Sequence, residues 1–175
     1  MPCSRLQTQH GAMWHIVLIL LLLGWAAPAA AQYKGRVIGG APGAFDGDTL
    51  LVTPESAPSV RLRLWGIETS EMKGAPWGRQ ARGALAEFLD WSRRVQCRVV
   101  DHDAHELPIA RCVTTGPGAA GGKDLGIWLL ERGWAVADRD VTQAPGADPW
   151  LARLYDMAEG AARDDRKGRW AETPK

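Results

Sequence analysis

The chain has 175 residues, with 21 basic and 20 acidic side chains and a formal net charge of +1 at pH 7. This length is enough for one domain with its own hydrophobic core. Strong nucleic-acid binders are usually basic, because phosphate neutralisation drives their affinity, so a near-neutral chain argues against tight, non-specific coating of DNA. It does not exclude a catalytic cleft with a locally positive wall.

Residues 1–31 have the features of an export signal. Arg5 is their only formal charge, residues 16–27 are apolar apart from one glycine, and the alanines at 29–31 suit cleavage. The apolar core is shorter than the ~20 residues of a comfortable membrane span. We therefore expect a periplasmic or secreted protein whose mature domain, residues 32–175, has no net charge and no stable membrane span. An uncleaved anchor is the alternative.

Residues 46–71 carry the densest pattern of candidate site residues. They open with Asp-Gly-Asp, a turn signal, because glycine accepts positive φ and aspartate bonds its own backbone. An apolar run follows, and residues 61–65 alternate polar and apolar side chains, which predicts two antiparallel strands. This pairing would bring Asp48 near Glu68 and Glu71. A hard, oxygen-preferring cation such as Ca²⁺ would relieve the repulsion among these carboxylates.

Arg63 lies in the second of these strands. Its planar guanidinium could clamp a phosphate group through two parallel hydrogen bonds. On pattern alone, a β-hairpin with solvated charges is the simpler interpretation, because charged residues at strand ends usually face water.

Helical periodicity appears in three later stretches. Residues 80–91 carry apolar side chains at helical spacing, which predicts a helix with one core-facing side. Asp124 caps a shorter helix that ends at Gly133, and Asp148-Pro149 opens the last one. Strands dominate the first half, a helix separates the third strand from the fourth, and two helices close the chain. We therefore predict an α+β fold.

Two cysteines remain once the predicted signal, with Cys3, is removed. Cys97 and Cys112 lie in predicted strands, at 95–100 and 109–113, joined by a short polar loop. An even pair in an exported protein favours a disulfide bond, and two buried free thiols are the alternative. A zinc site is excluded because four ligands at suitable spacing are missing.

The motifs resemble those of the thermonuclease (staphylococcal-nuclease-like) family. Asp46-Gly47-Asp48-Thr49 is followed, about fifteen residues after Asp48, by Arg63-Leu64-x-Gly66-Ile67-Glu68-Thr69-x-Glu71. The match extends along nearly the whole predicted mature chain through Gly78-Arg79-Gln80-Ala81, Gly133-Trp134-Ala135 and Gly168-x-Trp170. The resemblance implies a five-stranded OB-fold β-barrel with three α-helices.

The resemblance also implies Ca²⁺-dependent phosphodiester hydrolysis of single-stranded DNA or RNA, by a protein that we expect to be a monomer. Asp48 and Glu68 would hold Ca²⁺, with the carbonyl group of Thr69 beside them. Glu71 would position or deprotonate the attacking water. Arg63 and the cation would offset the charge on the pentavalent phosphorus.

The resemblance breaks at residues 103–110. The second catalytic arginine of the family falls on Leu107, and the aromatic residue that stacks on the nucleotide falls on His105. The tyrosines that cover the substrate base are replaced by Asp-Arg-Asp at 138–140. Arg111 is badly placed as a substitute, and Arg93 or Arg139 would have to enter from elsewhere. We expect an attenuated nuclease; the alternative is a catalytically inactive OB-fold binding or interaction module in the periplasm.

Overall fold

The computed structural model describes residues 34–69, 77–116 and 122–172. The predicted signal at 1–31 and the predicted catalytic Glu71 lie outside these ranges. The strands are β1 Val37–Ala44, β2 Thr49–Thr53, β3 Val60–Leu64, β4 Ile67–Glu68, β5 Val95–His102, β6 Pro108–Thr114 and β7 Val136–Ala137. The helices are α1 Trp77–Ser92, α2 Leu125–Glu131, α3 Arg139–Thr142 and α4 Pro149–Asp164, followed by a 3₁₀ helix, Gly168–Glu172.

Five strands close into a barrel in the order β1-β2-β3-β6-β5. All neighbouring strands are antiparallel except β3 and β6, which are parallel. The short strands β4 and β7 pair separately. This architecture confirms the predicted α+β class, the five-stranded barrel and the three helices of seven or more residues. The predicted antiparallel pairing of the strands on either side of residues 54–59 is confirmed as β2–β3.

The barrel strands bury alternate side chains, as a half-buried strand should. Leu50, Val52, Leu62 and Leu64 from β2 and β3 are all 2% exposed or less. Helix α1 covers one part of the barrel with the apolar face that contains Ala81 and is longer than predicted, since it begins at Trp77 rather than residue 80.

The predicted disulfide bond is confirmed between Cys97 and Cys112. The two residues are directly opposite each other in the β5–β6 register, with their Cα atoms 4.0 Å apart. Both are buried in the barrel interior. The bond therefore ties two neighbouring strands together inside the core.

Helix α4 is hydrogen-bonded to the preceding segment of the chain through a buried carboxylate, Glu159. Its Oε2 atom accepts a hydrogen bond from the Ala137 amide at 3.2 Å and from Arg139 at 3.1 Å. Its Oε1 atom accepts from Arg163, one turn further along the helix. Glu159 is fully buried, so these donors provide the pairing that a buried charge requires.

Tyr155, on the same helix, is a core residue. It is 1% exposed, its hydroxyl group lies 3.3 Å from Asp124 Oδ1, and its ring packs edge-on against Trp65. Its ring therefore offers no exposed face on which a substrate base could stack. In the described part of the chain, no helix is both long and apolar enough to cross a membrane.

Candidate active site

An open cavity of about 410 Å³ lies where the β1–β2 turn, the ends of β3 and β4, and the first turn of α1 meet. Four of the predicted site residues line it: Asp48, Arg63, Glu68 and Thr69. The structure therefore brings these four residues to one cavity, and the expected approach of Glu68 to Asp48 is part of this arrangement. The position of Glu71 relative to the cavity remains a prediction, because Glu71 is not among the described residues.

The turn between β1 and β2 presents its carboxylates through a compact hydrogen-bond pattern. The Asp46 Oδ1 atom accepts from the Asp48 amide at 3.1 Å, and the Thr49 carbonyl accepts from the Phe45 amide at 2.9 Å. Gly47 packs against the barrel and α1 so closely that a Cβ there would lie 2.6 Å from Thr69 Oγ1 and 3.1 Å from Ala81 Cβ. This contact holds the acidic turn against the N-terminal part of α1.

Asp48 and Arg63 form the centre of the site. Thr49 is opposite Arg63 in the β2–β3 register, which places Asp48 next to the guanidinium, with 4.0 Å between Asp48 Oδ2 and Arg63 Nη2. The same Oδ2 accepts from the Thr69 amide at 3.4 Å. The side chain of Asp48 is 14% exposed and that of Arg63 is 37% exposed. Arg63 can therefore contact Asp48 and still reach a ligand from solvent.

The electrostatics of Asp48 suit a cation site. Burial raises the pKa of this carboxyl, and the neighbouring Asp46 carboxylate raises it further, while Arg63 and the Thr49 hydroxyl lower it. The net shift of this pKa is upward, because burial and Asp46 outweigh Arg63 and Thr49. A bound divalent cation would act in the opposite direction and favour the charged carboxylate.

The described residues alone do not complete a metal site. The carboxylates of Asp46, Asp48 and Glu68 all line the cavity. Yet within residues 34–69, 77–116 and 122–172, no three His, Cys, Asp or Glu side chains come close enough together to hold an ion. Asp48 and Glu68 fit the role of partial ligands, and further oxygen ligands, such as the Thr69 carbonyl or water, would be needed to complete the site.

The loop that carries Leu107 is well ordered by Asp103. The Asp103 Oδ1 atom accepts from the amides of His105 at 2.8 Å and Leu107 at 2.9 Å. Burial acts to raise the pKa of Asp103, but these two hydrogen bonds, with help from Arg63, bring it below its usual value. The loop thus lies within the field of Arg63, and Ile109 is opposite Arg63 in the β3–β6 register. Leu107 itself directly precedes β6 and does not line the cavity, and its side chain brings no charge.

The arginines that we considered as substitutes are engaged elsewhere or lie away from the cavity. Arg111 pairs with Asp124 at 3.6 Å, and Arg139 pairs with Asp156 and Glu159. Arg93, just after α1, does not line the cavity. The sequence reasoning missed two arginines that do line it, Arg79 and Arg82. Their only signal was their place beside Gly78 at the start of a helix that follows the acidic motif.

An exposed aromatic residue at the rim was also missed. Phe45 lines the cavity and is 49% exposed, with the Arg61 guanidinium 4.9 Å from the centre of its ring. An aromatic face in this position can stack on a nucleic-acid base. The sequence signal was a lone phenylalanine directly before the acidic turn, which is also typical of a partly buried strand end.

The chain is similar to several curated proteins. It is 31% identical over 167 residues to the succinoglycan biosynthesis protein ExoI of Rhizobium meliloti, a match that covers 90% of this chain and 75% of that protein. It is 30% identical over 119 residues to the probable endonuclease LCL3 of Podospora anserina, covering 65% of this chain and 42% of that protein.

The probable endonuclease LCL3 of Leptosphaeria maculans is 27% identical over 122 residues, covering 66% of this chain and 39% of that protein. The match thus spans less than half the length of either endonuclease. No protein-family model matches the chain. Together, the five-stranded barrel and the extended similarity to ExoI and the endonucleases show that the chain belongs to the thermonuclease, or staphylococcal-nuclease-like, family.

Proposed function

We propose that this protein is an exported, Ca²⁺-dependent nuclease that hydrolyses phosphodiester bonds in single-stranded DNA or RNA. The observation that carries the proposal is the convergence of Asp48, Arg63, Glu68 and Thr69 on one open cavity. An acidic pair next to a half-exposed arginine suits a phosphodiester, whose negative charge grows as water attacks phosphorus. The similarity to two probable endonucleases supports the same reaction class.

The residues divide into three roles. Asp48 and Glu68, with the Thr69 carbonyl, would hold Ca²⁺, which would polarise a phosphoryl oxygen when bound. Arg63 donates hydrogen bonds to the non-bridging oxygens, where its fork geometry allows two parallel contacts. Glu71 accepts the proton of the attacking water as the new phosphorus–oxygen bond forms. The proton returns to the leaving oxygen as the old bond breaks.

Two observations support export. Residues 1–31 have the pattern of a signal peptide, and the Cys97–Cys112 bond is of the kind that persists in oxidising compartments. We propose a periplasmic or secreted location on these grounds. A protein that is found reduced and cytosolic in its host would contradict this part of the proposal.

A second candidate function is a catalytically silent binding module. Leu107 favours it, because an aliphatic side chain cannot stabilise phosphoryl charge at that position. One relative, ExoI, whose match covers 90% of this chain, carries a name that refers to succinoglycan biosynthesis rather than to nuclease activity. The chemical groups at Asp48, Arg63 and Glu68 nonetheless remain those of a phosphodiesterase, which is why the nuclease is our first choice.

The variant Leu107→Arg distinguishes the two functions. In a nuclease that lacks only this one charge, it should raise the rate of single-stranded DNA hydrolysis with Ca²⁺, by at most ~10²–10³, the usual worth of one transition-state donor. Leu107→Gln, polar but uncharged, is the matched control and should leave the rate near that of the wild type. If the wild type is inactive and a folded Leu107→Arg protein is inactive as well, the result would favour the binding module.

A further inference from the structure

We propose that Arg79 and Arg82 bind substrate phosphates from helix α1 and supply the positive charge that Leu107 does not. The inference rests on the proposed function and assigns two further residues to the same site. Both arginines line the cavity together with Asp48 and Arg63. They are three positions apart in α1, a spacing that places side chains on the same side of a helix.

The position of this pair is fixed by packing between them. Ala81 is fully buried, and it contacts the acidic turn at Gly47. Because Gly47 has no side chain, the helix approaches the turn within van der Waals distance at this point. Arg79 and Arg82 are therefore carried on a rigid element at the edge of the cavity, which is the arrangement that positions a charge with least loss of side-chain freedom.

Neither guanidinium group is paired with a carboxylate among the described residues. Among the described residues, neither makes an ion pair or a side-chain hydrogen bond, whereas Arg94, Arg111, Arg139 and Arg163 each have a carboxylate partner. A phosphate that binds Arg79 or Arg82 would thus break no ion pair within those ranges. The N-terminal end of α1 adds the partial positive charge of the helix dipole, since Gly78 lines the same cavity.

The charge balance of the cavity also favours anion binding once a cation is present. Three carboxylates, from Asp46, Asp48 and Glu68, face the guanidinium groups of Arg63, Arg79 and Arg82. The described lining is therefore neutral, and a divalent cation would make it positive. Without the two helix arginines, the three carboxylates would face Arg63 alone, so a divalent cation would only neutralise the described lining, which would then attract a phosphodiester far less strongly.

The first arm of the test measures binding without cleavage. A fluorescent single-stranded oligodeoxynucleotide is titrated in Ca²⁺ at increasing KCl, in a Glu71→Gln background that keeps the DNA intact. If both arginines contact phosphates, Arg79→Ala/Arg82→Ala should weaken binding and reduce the slope of log affinity against log salt by about 1.4, since one contact contributes about 0.7 for single strands. Arg153→Ala, an exposed arginine on α4, is the matched control and should change neither.

The second arm measures rate and separates this role from a structural one. Arg79→Ala/Arg82→Ala should slow hydrolysis, and Arg79→Lys/Arg82→Lys should keep the salt slope but not the full rate, because lysine retains the charge without the planar fork. Leu107→Arg should give a larger fold-gain in the double-alanine background than in the wild type. Equal gains in both would mean that the helix arginines and position 107 act independently, which would overturn the inference.

The failures of the two proposals are distinguishable. A wild-type protein that cleaves DNA, with a salt slope unchanged in the double-alanine variant, overturns this inference and leaves the nuclease intact. A protein that binds DNA but does not cleave it overturns the nuclease, and the salt slope alone then decides the role of Arg79 and Arg82. A folded protein that neither binds nor cleaves DNA overturns both.

Discussion

Replacing Gly47 by alanine should damage both the stability of the fold and the site. The new Cβ would lie 2.6 Å from Thr69 Oγ1, 2.9 Å from Thr69 Cβ and 3.1 Å from Ala81 Cβ. Comfortable carbon contacts are about 3.5–4.0 Å, so all three are too short. Thr69 and Ala81 are 8% and 0% exposed, which leaves neither free to move into solvent. Overpacking of this kind costs ~1–3 kcal/mol.

The matched control is Gly83→Ala on helix α1. A Cβ at Gly83 meets nothing within 4 Å, and alanine is favoured over glycine inside a helix by ~0.8–1.0 kcal/mol. Gly47 does not have a positive φ, so backbone strain does not enter the comparison. The two substitutions add the same methyl group and should change stability in opposite directions, with a difference of ~2–4 kcal/mol.

Urea denaturation followed by tryptophan fluorescence measures this difference, and DNA hydrolysis is measured on the folded fraction. We expect Gly47→Ala to lose activity beyond its loss of folded protein, because the added methyl pushes the acidic turn away from Ala81 in α1. Gly83→Ala should keep wild-type activity. If Gly47→Ala is as stable as Gly83→Ala, the close packing of the turn against α1 is wrong, and the positioning argument for Arg79 and Arg82 loses its basis.

Three other predictions follow from single contacts. Replacing Cys97 and Cys112 together by serine should lower the free energy of unfolding by ~3 kcal/mol, the chain-entropy value for a loop of this length, as measured by urea denaturation. Glu159→Gln should cost ~1.5–3 kcal/mol, because the charge-assisted hydrogen bonds to α4 and its neighbours weaken, and thermal unfolding measures the loss. Phe45→Ala should weaken single-stranded DNA binding by ~1–3 kcal/mol, whereas Trp150→Ala, also exposed but on α4, should not.

Each of these has a contradicting outcome. If the variant with serine at positions 97 and 112 is as stable as the wild type under oxidising conditions, closing this loop with the disulfide does not stabilise the fold. Asp156→Asn removes the exposed partner of Arg139 and should cost no more than ~1 kcal/mol, so an equal loss from Asp156→Asn and Glu159→Gln would contradict the importance of burial. Equal DNA affinities for the Phe45→Ala and Trp150→Ala variants would contradict the proposal that Phe45 stacks on a base.

The local patterns of the sequence were sufficient for much of the fold. Asp-Gly-Asp and the alternation after it predicted the turn and the β2–β3 pairing, because both depend on neighbouring residues. The cysteine pair was predictable for a similar reason, since its two strands are joined by a short loop. Helix α3 was missed because it has four residues, too few to show a period, and depends on Asp138, whose side chain accepts from the Val141 amide.

The site was predictable only in part. Asp48, Arg63, Glu68 and Thr69 could be grouped because they belong to one hairpin and the strand after it. Arg79 and Arg82 could not be grouped with them from the sequence. Their approach to the cavity depends on the packing of Ala81 against Gly47, and these two residues are far apart in sequence. A periodic pattern assigns an exposed arginine on a helix to solvent, and only the tertiary structure shows that this part of the helix borders the cavity.

The most direct test of the proposed function is the initial rate at which the purified protein hydrolyses single-stranded DNA with Ca²⁺, compared with EDTA and with Glu71→Gln. Glu71→Gln also excludes a contaminating nuclease, because a contaminant would be unaffected by the substitution. We predict hydrolysis that requires both Ca²⁺ and Glu71. A folded protein that shows no Ca²⁺-dependent hydrolysis, or a Glu71→Gln variant as active as the wild type, would contradict the assignment of this cavity as a nuclease active site.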